Sequence, residues 1–209
     1  GLGDVYKRQM SAIAAICALQ LAGGLDYLVR IAENILRKNP KHINYLAPTV
    51  TYFLTILAGT GHTAFSMIPV IVEVAKSENI KPSVPLSIAV VASQIGITAS
   101  PVSAAVVAMS GFLEPFGVSY PTLLGICIST TFIAVMITAF IMSTFANNDL
   151  SSDPVYQERL AAGHVAPPRE KNTDFHLKPG AKKSVLIFLI GIICIVFYAT
   201  AISKNIGII

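Results

Sequence analysis

Two short polar stretches interrupt long apolar runs, and they carry the side chains best suited to hold a ligand. The first reads Leu57-Ala58-Gly59-Thr60-Gly61-His62-Thr63 and the second Ile97-Thr98-Ala99-Ser100-Pro101-Val102-Ser103. Glycines at 59 and 61 permit a turn that side chains would obstruct. Pro101 has no amide hydrogen and disfavours helical geometry at Ser100, so a helix is expected to stop and restart there. Ser100 is then the N-cap and Pro101 the first helical residue. Thr60 or Thr63 is expected to cap the arm that returns from the first break in the same way. A restarted half-helix presents free backbone amides and the positive end of its dipole. The chemistry is recognition of a carboxylate-type anion without a cationic clamp, because no Lys or Arg lies inside any of the apolar runs. The hydroxyls of Thr60, Thr63, Thr98, Ser100 and Ser103, with the amide of Gln94, would serve as donors. Gly61 and Pro101 shape the turns. His62 stays open between substrate contact, proton handling and packing at the tip. A single break is often only a kink, with Ser or Thr bonding back to its own helix. Two breaks in neighbouring segments favour a shared site, since irregular backbone at membrane depth is tolerated only where protein or a water-filled cavity satisfies it.

The elements that carry these breaks are membrane segments. Hydrophobic residues make up 54% of the chain and charged residues only 12%, which excludes an ordinary soluble domain. Apolar runs cover residues 10–29, 45–75, 84–112, 120–145 and 184–202. Four fit one crossing of about 20 residues each. The run 45–75 is too long for one crossing and too short for two. With a break at its centre it forms two arms of about 12 residues, each rising roughly 1.5 Å per residue, which enter and leave on one side. The fold class is therefore all-α, a polytopic membrane protein with a re-entrant helical hairpin at 45–75 and a broken transmembrane helix at 84–112.

Basic residues test this topology. Connector 30–41 carries four Lys or Arg, 76–81 two, 111–119 none and 146–183 six. A single crossing at 45–75 would put the four-charge and six-charge connectors on opposite sides. A hairpin places all twelve on the cytoplasmic side. The formal charge of +4 thus orients the chain in the membrane and predicts no nucleic-acid partner. Glu73 and Asp26, near the cytoplasmic ends of their segments, are expected to pair with Lys76 or Arg30. Tyr27, Tyr45, Tyr52, Tyr120 and Tyr198 read as an aromatic belt. Residues 1–9 lack the apolar core of a signal peptide and read as a non-native scar. Residues 146–183 read as a solvated cytoplasmic linker, with one short helix near Val155 to Ala162, and too short for a catalytic domain. His164 and His176 within it read as loop residues. Cys17, Cys127 and Cys194 lie in separate runs, so no metal site, redox pair or disulfide is expected, and no cofactor.

Several stretches resemble the Dcu family of anaerobic C4-dicarboxylate transporters (DcuA/DcuB type). They are Met10 to Ile16, Gln20-Leu21-Ala22-Gly23-Gly24-Leu25-Asp26-Tyr27, the Ala58 to His62 tip, Ser93 to Ala105 and Ser152-Asp153-Pro154-Val155-Tyr156. The resemblance runs from Met10 onward, and His62 with Ser93 to Ser103 leans toward the DcuB type. It implies a multi-pass carrier of the bacterial inner membrane that exchanges fumarate, malate or aspartate for succinate in anaerobic metabolism. It also implies one half of an inverted-repeat fold of the ion-transporter superfamily, this chain corresponding to an N-terminal-half fragment. The partners it implies are C4-dicarboxylates, the lipid bilayer and the C-terminal half of the same fold, with a homo-oligomer left open.

Other functions remain to be weighed. A cation-coupled symporter of organic anions would hold sodium at the carbonyl end of the first arm, near Ala58 and Gly59. A membrane enzyme is disfavoured, because no nucleophile has a visible base at helical spacing and no ligand cluster lies in the apolar runs. A non-transporting subunit would have no use for two polar breaks in a bilayer. The charge split gives a direct check on topology. Cysteines introduced at Ser119 and Ser77 of a full-length chain, probed in intact cells with an impermeant thiol reagent, should label at 119 and stay protected at 77. The reverse pattern overturns both the topology and the hairpin.

Overall fold

A computed structural model describes residues 10, 14–15, 17–146, 149–163 and 179–205. The scar expected at 1–9 and the histidines His164 and His176 lie outside the described residues. The regular elements are all helices: α1 Gly24–Lys38, α2 Ile43–Ala58, α3 Thr63–Ser77, α4 Ser83–Ile97, α5 Ala104–Leu113, α6 Tyr120–Phe145, α7 Pro154–Ala161 and α8 Ala181–Asn205. Single 3-10 turns, Pro40–His42 and Glu114–Phe116, precede α2 and follow α5.

The first apolar run differs from the single helix expected at 10–29. The chain turns at Ala22 and Gly23, where Gly23 adopts a left-handed φ of 76°, and α1 starts anew at Gly24. A Cβ on Gly24 would lie 2.3 Å from Leu19 Cδ1 and 2.8 Å from Ser184 Oγ, so the chain passes close to α8 here and a larger residue would have to displace those side chains. The basic stretch expected as connector 30–41 is mostly the second half of α1. Leu28, Ala32 and Leu36 recur every fourth residue and are buried, while Arg30, Asn34 and Lys38 stay outside. Glu73 pairs with Arg37 at 3.1 Å, and not with Lys76 as expected; Arg37 also holds Glu33 at 2.8 Å. That ion triplet ties α1 to α3.

Two buried clusters organise the rest. One joins α1, α2 and α3 to the start of α8 through Leu28, Leu36, Ile43, Met67, Ile71, Val74 and Val185. The other joins α2, α4 and α6 through Tyr52, Ile56, Ala92, Ala99 and Val135. Helix α4 lies closely along α2, because a Cβ on Gly96 would come within 3.2 Å of the Tyr52 carbonyl and of Thr55. Outer faces are apolar rather than polar. Helix α6 exposes Ile126, Ile133, Ile137, Phe140 and Ile141, and α8 exposes Leu186, Ile187, Ile190, Ile193 and Phe197. Among the described residues, α6 is the one helix long and apolar enough to cross a membrane by length and composition.

The segment after α6 was expected to be solvated linker, yet its first residues are docked. Asp149 forms an antiparallel bridge with Ile80, the Leu150 amide donates to the Asn79 carbonyl at 2.9 Å, and the Leu150 side chain is buried. Lys81 Nζ pairs with Asp153, whose carboxylate also accepts from the Val155 and Tyr156 amides as the N-cap of α7. Helix α7 falls where a short helix was expected. The clasp brings residues 149–153 into contact with residues 79–81, so these two stretches lie on the same side of the molecule. The Asp153 carboxyl is held below its ordinary range, first by the bond from Lys81 and then by the Tyr156 amide. Its contribution is therefore present above the unfolded value and fades as pH falls through the depressed folded value. At neutral pH the charge can be removed by Asp153→Asn. In a full-length chain carrying Leu150→Cys, that substitution should speed thiol labelling at 150 while leaving labelling of a cysteine in the body of α6 unchanged; equal labelling at 150 means that the ion pair does not hold the clasp.

Candidate functional site

The first break is a tight turn between two helices. Helix α2 ends at Ala58, and Gly59 reverses the chain at a left-handed φ of 66°, its amide donating to the Thr55 carbonyl at 2.8 Å. Helix α3 begins at Thr63, and its N-cap position is taken by His62 with no side-chain cap bond. Neither Thr60 nor Thr63 caps the arm as expected. The Thr60 hydroxyl oxygen instead accepts from the His62 amide at 3.4 Å. Thr63, as the first helical residue, directs its hydroxyl back under the tip, 2.8 Å from the Thr55 hydroxyl and 3.2 Å from the Thr60 carbonyl, fully buried. His62 is exposed and stacks on Phe65 with ring centroids 5.9 Å apart.

The second break is longer than expected. After Ile97, the amides of Thr98, Ala99 and Ser100 bond back to the carbonyls of Ile95, Gly96 and Ile97 at 3.1, 3.1 and 3.2 Å, which winds the end of α4 tightly. Ser103, not Ser100, is the N-cap of α5: its hydroxyl oxygen accepts from the Val106 amide at 3.3 Å. The cap needs extended backbone, and Ser103 has it, with φ −75° and ψ 142°. Pro101 lies in the intervening turn. The amides of the first turn of α5, Ala104 and Ala105, have no intrahelical acceptor.

The two breaks meet. Ser100 Oγ donates to the carbonyl of Ile56 at 2.6 Å, an acceptor in the last turn of α2 that the helix itself leaves unpaired. Gly61 sits against the end of α4, where a Cβ would lie 2.7 Å from Gln94 Nε2 and 3.2 Å from Ile97 Cδ1. The expected site residues thus fall into two sets. Thr63, Ser100 and Ser103 are buried, with hydroxyls committed to holding the backbone of the breaks. His62, Gln94 and Thr98 are exposed, and Thr60, Gly61 and Pro101 are partly so. The Thr98 hydroxyl donates to Ile95 at 2.7 Å, which leaves its oxygen as an acceptor. Among the described residues no group of His, Cys, Asp and Glu is placed to hold a metal ion.

Sequence reasoning missed the groups that brace the breaks. Tyr52, read as a belt residue, is fully buried, and its hydroxyl lies 2.6 Å from Thr131 Oγ1 and 3.1 Å from the Ile128 carbonyl of α6. Tyr120, read the same way, donates its hydroxyl to the Pro101 carbonyl. Thr55 was passed over too, although its partner Thr63 follows only eight residues later across a visible turn.

An all-helical chain with apolar outer faces, and with polar groups gathered at two meeting helix breaks, is a membrane protein. It belongs to the anaerobic C4-dicarboxylate membrane transporter family, whose sequence model matches residues 4–208. The chain is 68% identical over 206 residues to the C4-dicarboxylate transporter DcuA of Wolinella succinogenes, covering 99% of this chain and 47% of that protein. It is 63% identical over 209 residues to the DcuA of Helicobacter pylori, covering 99% of this chain and 46% of that one. The leaning toward the DcuB type is not upheld: an Escherichia coli transporter of that name is 39% identical over 163 residues, with 76% of this chain and 36% of that protein covered. The chain spans about half the length of the curated relatives it matches. No solved structure matches it.

The tip geometry separates its two glycines. Alanine at Gly59 must adopt a left-handed conformation, at a cost of about 1–2 kcal/mol. Alanine at Gly61 meets chiefly the mobile end of Gln94. Thermal unfolding of a detergent-purified full-length chain should therefore show a clearly lowered midpoint for Gly59→Ala and a near-parental one for Gly61→Ala. Equal midpoints contradict the strained turn.

Proposed function

We propose that this chain is part of a secondary transporter of C4-dicarboxylates (fumarate, malate, succinate and aspartate), an exchanger in the bacterial inner membrane rather than an enzyme. The names of its relatives supply the substrate class. The observation that carries the reading to this chain is the meeting of the two breaks, with Ser100 bonded to Ile56 and Gly61 against Gln94. Arms of 16 and 15 residues, rising about 1.5 Å per residue, fall short of a bilayer core of about 30 Å. That supports α2 and α3 as a re-entrant hairpin and α4 with α5 as a broken membrane helix. The contact of residues 149–153 with residues 79–81 agrees with the charge rule, which puts the connectors of both in the cytoplasm. Bilayer crossings at 120–145 and 184–202 complete this topology, whereas the run 10–29, broken at Gly23, does not form one straight crossing. The second half of the inverted repeat would come from the rest of the transporter.

In this reading the buried hydroxyls of Thr63, Ser100 and Ser103 set the shape of the breaks. Thr60, His62, Gln94 and the first-turn amides of α5 face the dicarboxylate, whereas Thr98, its hydroxyl proton committed to Ile95, has no donor to offer it. Gln94 is the group best placed to donate at the tip. Losing one hydrogen bond to a charged carboxylate costs about 1.5–3 kcal/mol, or roughly 10- to 150-fold in affinity. The test is exchange of labelled succinate against external fumarate in proteoliposomes, with and without a sodium gradient. Gln94→Ala in a full-length chain should raise the half-saturating succinate concentration at least tenfold on that scale. Unchanged affinity removes Gln94 from the site, and uptake that requires sodium replaces the exchanger by the cation-coupled symporter.

A further inference from the structure

Four groups at the second break form one directional hydrogen-bond chain between three elements. Tyr120, at the start of α6, donates its hydroxyl to the carbonyl of Pro101. The peptide plane that carries this carbonyl also carries the Val102 amide, and in a trans peptide the two point in opposite directions. Fixing the carbonyl toward α6 therefore aims the amide the other way, where it donates to Ser100 Oγ at 3.3 Å. Ser100 Oγ in turn donates to the Ile56 carbonyl of α2 at 2.6 Å. Every donor in the chain points the same way, from α6 through the break to the tip of the hairpin, so each bond polarises the next. Ser100 is fully buried, and no solvent is at hand to replace a lost partner.

We propose that Tyr120 is a positioning residue for the candidate site: its phenol sets the Pro101–Val102 peptide plane and, through Ser100, registers the broken helix against the hairpin. Its hydroxyl bonds the Pro101 carbonyl and none of the groups assigned to the ligand, and it acts by fixing where the break presents them. Tyr52 braces the same assembly from the other arm by its bonds to Thr131 and Ile128. Helix α6 is thus the post against which both breaks are set. The inference rests on the dicarboxylate reading only for its effect on substrate; the relay stands on the geometry alone.

The experiment separates the two. Amide hydrogen exchange over residues 97–106 is measured on a detergent-purified full-length chain for the parent, Tyr120→Phe, Ser100→Ala and the double variant, with succinate binding measured on the same samples. Each single variant should speed exchange at Val102 and Ser103 several-fold, and the double variant should be no faster than the faster single one, because one relay has been cut twice. Ser100→Thr, which keeps the hydroxyl, should restore most of the protection. Parental exchange in Tyr120→Phe overturns the proposal, and so does a double variant in which the two effects multiply. Faster, non-multiplying exchange with weakened succinate binding supports both the relay and the site. The same exchange pattern with parental succinate binding keeps the relay and overturns the assignment of the dicarboxylate to this break. Should Tyr120→Phe fail to insert, Ser100→Ala tests the relay from its other end, at the same amides.

Discussion

A backbone carbonyl or amide withdrawn from water must find another partner, and in this chain the need is sharpest where two helices stop in the interior. The bond from Ser100 to Ile56 meets it on both sides at once. The end of α2 leaves carbonyls without intrahelical donors, and the break after α4 supplies a hydroxyl within 2.6 Å of one of them. Each interruption is tolerable because the other is beside it. Deleting the hydroxyl would leave an acceptor buried among Ala92, Ala99 and Val135, where water does not reach. The close approach of α4 to α2 at Gly96, the placing of Gly61 under Gln94 and the two tyrosine braces to α6 all follow from keeping these ends in register.

Around that polar centre the usual distribution of side chains is inverted. Helices α6 and α8 turn many of their large aliphatic and aromatic residues outward, while Leu123, Leu124, Val135 and Ala139 of α6 and Ala181 and Val185 of α8 are buried. Such surfaces suit a lipid solvent, in which helices gain little from hiding apolar area and associate through close packing and hydrogen bonds. Charged side chains pair instead at the C-terminal end of α3 and in the turn that follows it. There the triplet of Glu33, Arg37 and Glu73 joins α1 to α3, and the pair of Lys81 and Asp153 fastens the segment after α6 to the turn between α3 and α4.

Much of the architecture was legible in the sequence because its signals are local. Gly59 and Gly61 amid apolar residues, and Pro101 after Ser100, announce broken helices wherever they lie, and the helices do stop at 58 and 97. The short helix in the linker could be read from Asp153-Pro154, an N-cap followed by proline. What escaped depends mostly on distant partners. The apolar length of the first run was read as one crossing, and the close approach of Gly24 to Leu19 and Ser184 beside the turn at Gly23 appears only in the fold. Cap assignment at the second break slipped by three residues, because the chain turns through residues 98–102 before Ser103 takes up the extended cap conformation. The phenols of Tyr52 and Tyr120 look like interfacial anchors until the carbonyls they reach are known.

The docking of Leu150 on Asn79 has a topological meaning of its own. It closes the stretch from the base of α4 through α5 and α6 into a non-covalent ring, fastened at one end and turned back at the 3-10 element Glu114–Phe116 at the other. In such a ring the fastening and the packing of α6 alongside α4 close the same loop, so its closure entropy is met once for both. The broken helix is thereby an arc of a closed loop, and the loop's two ends cannot move apart without opening the fastening at Leu150.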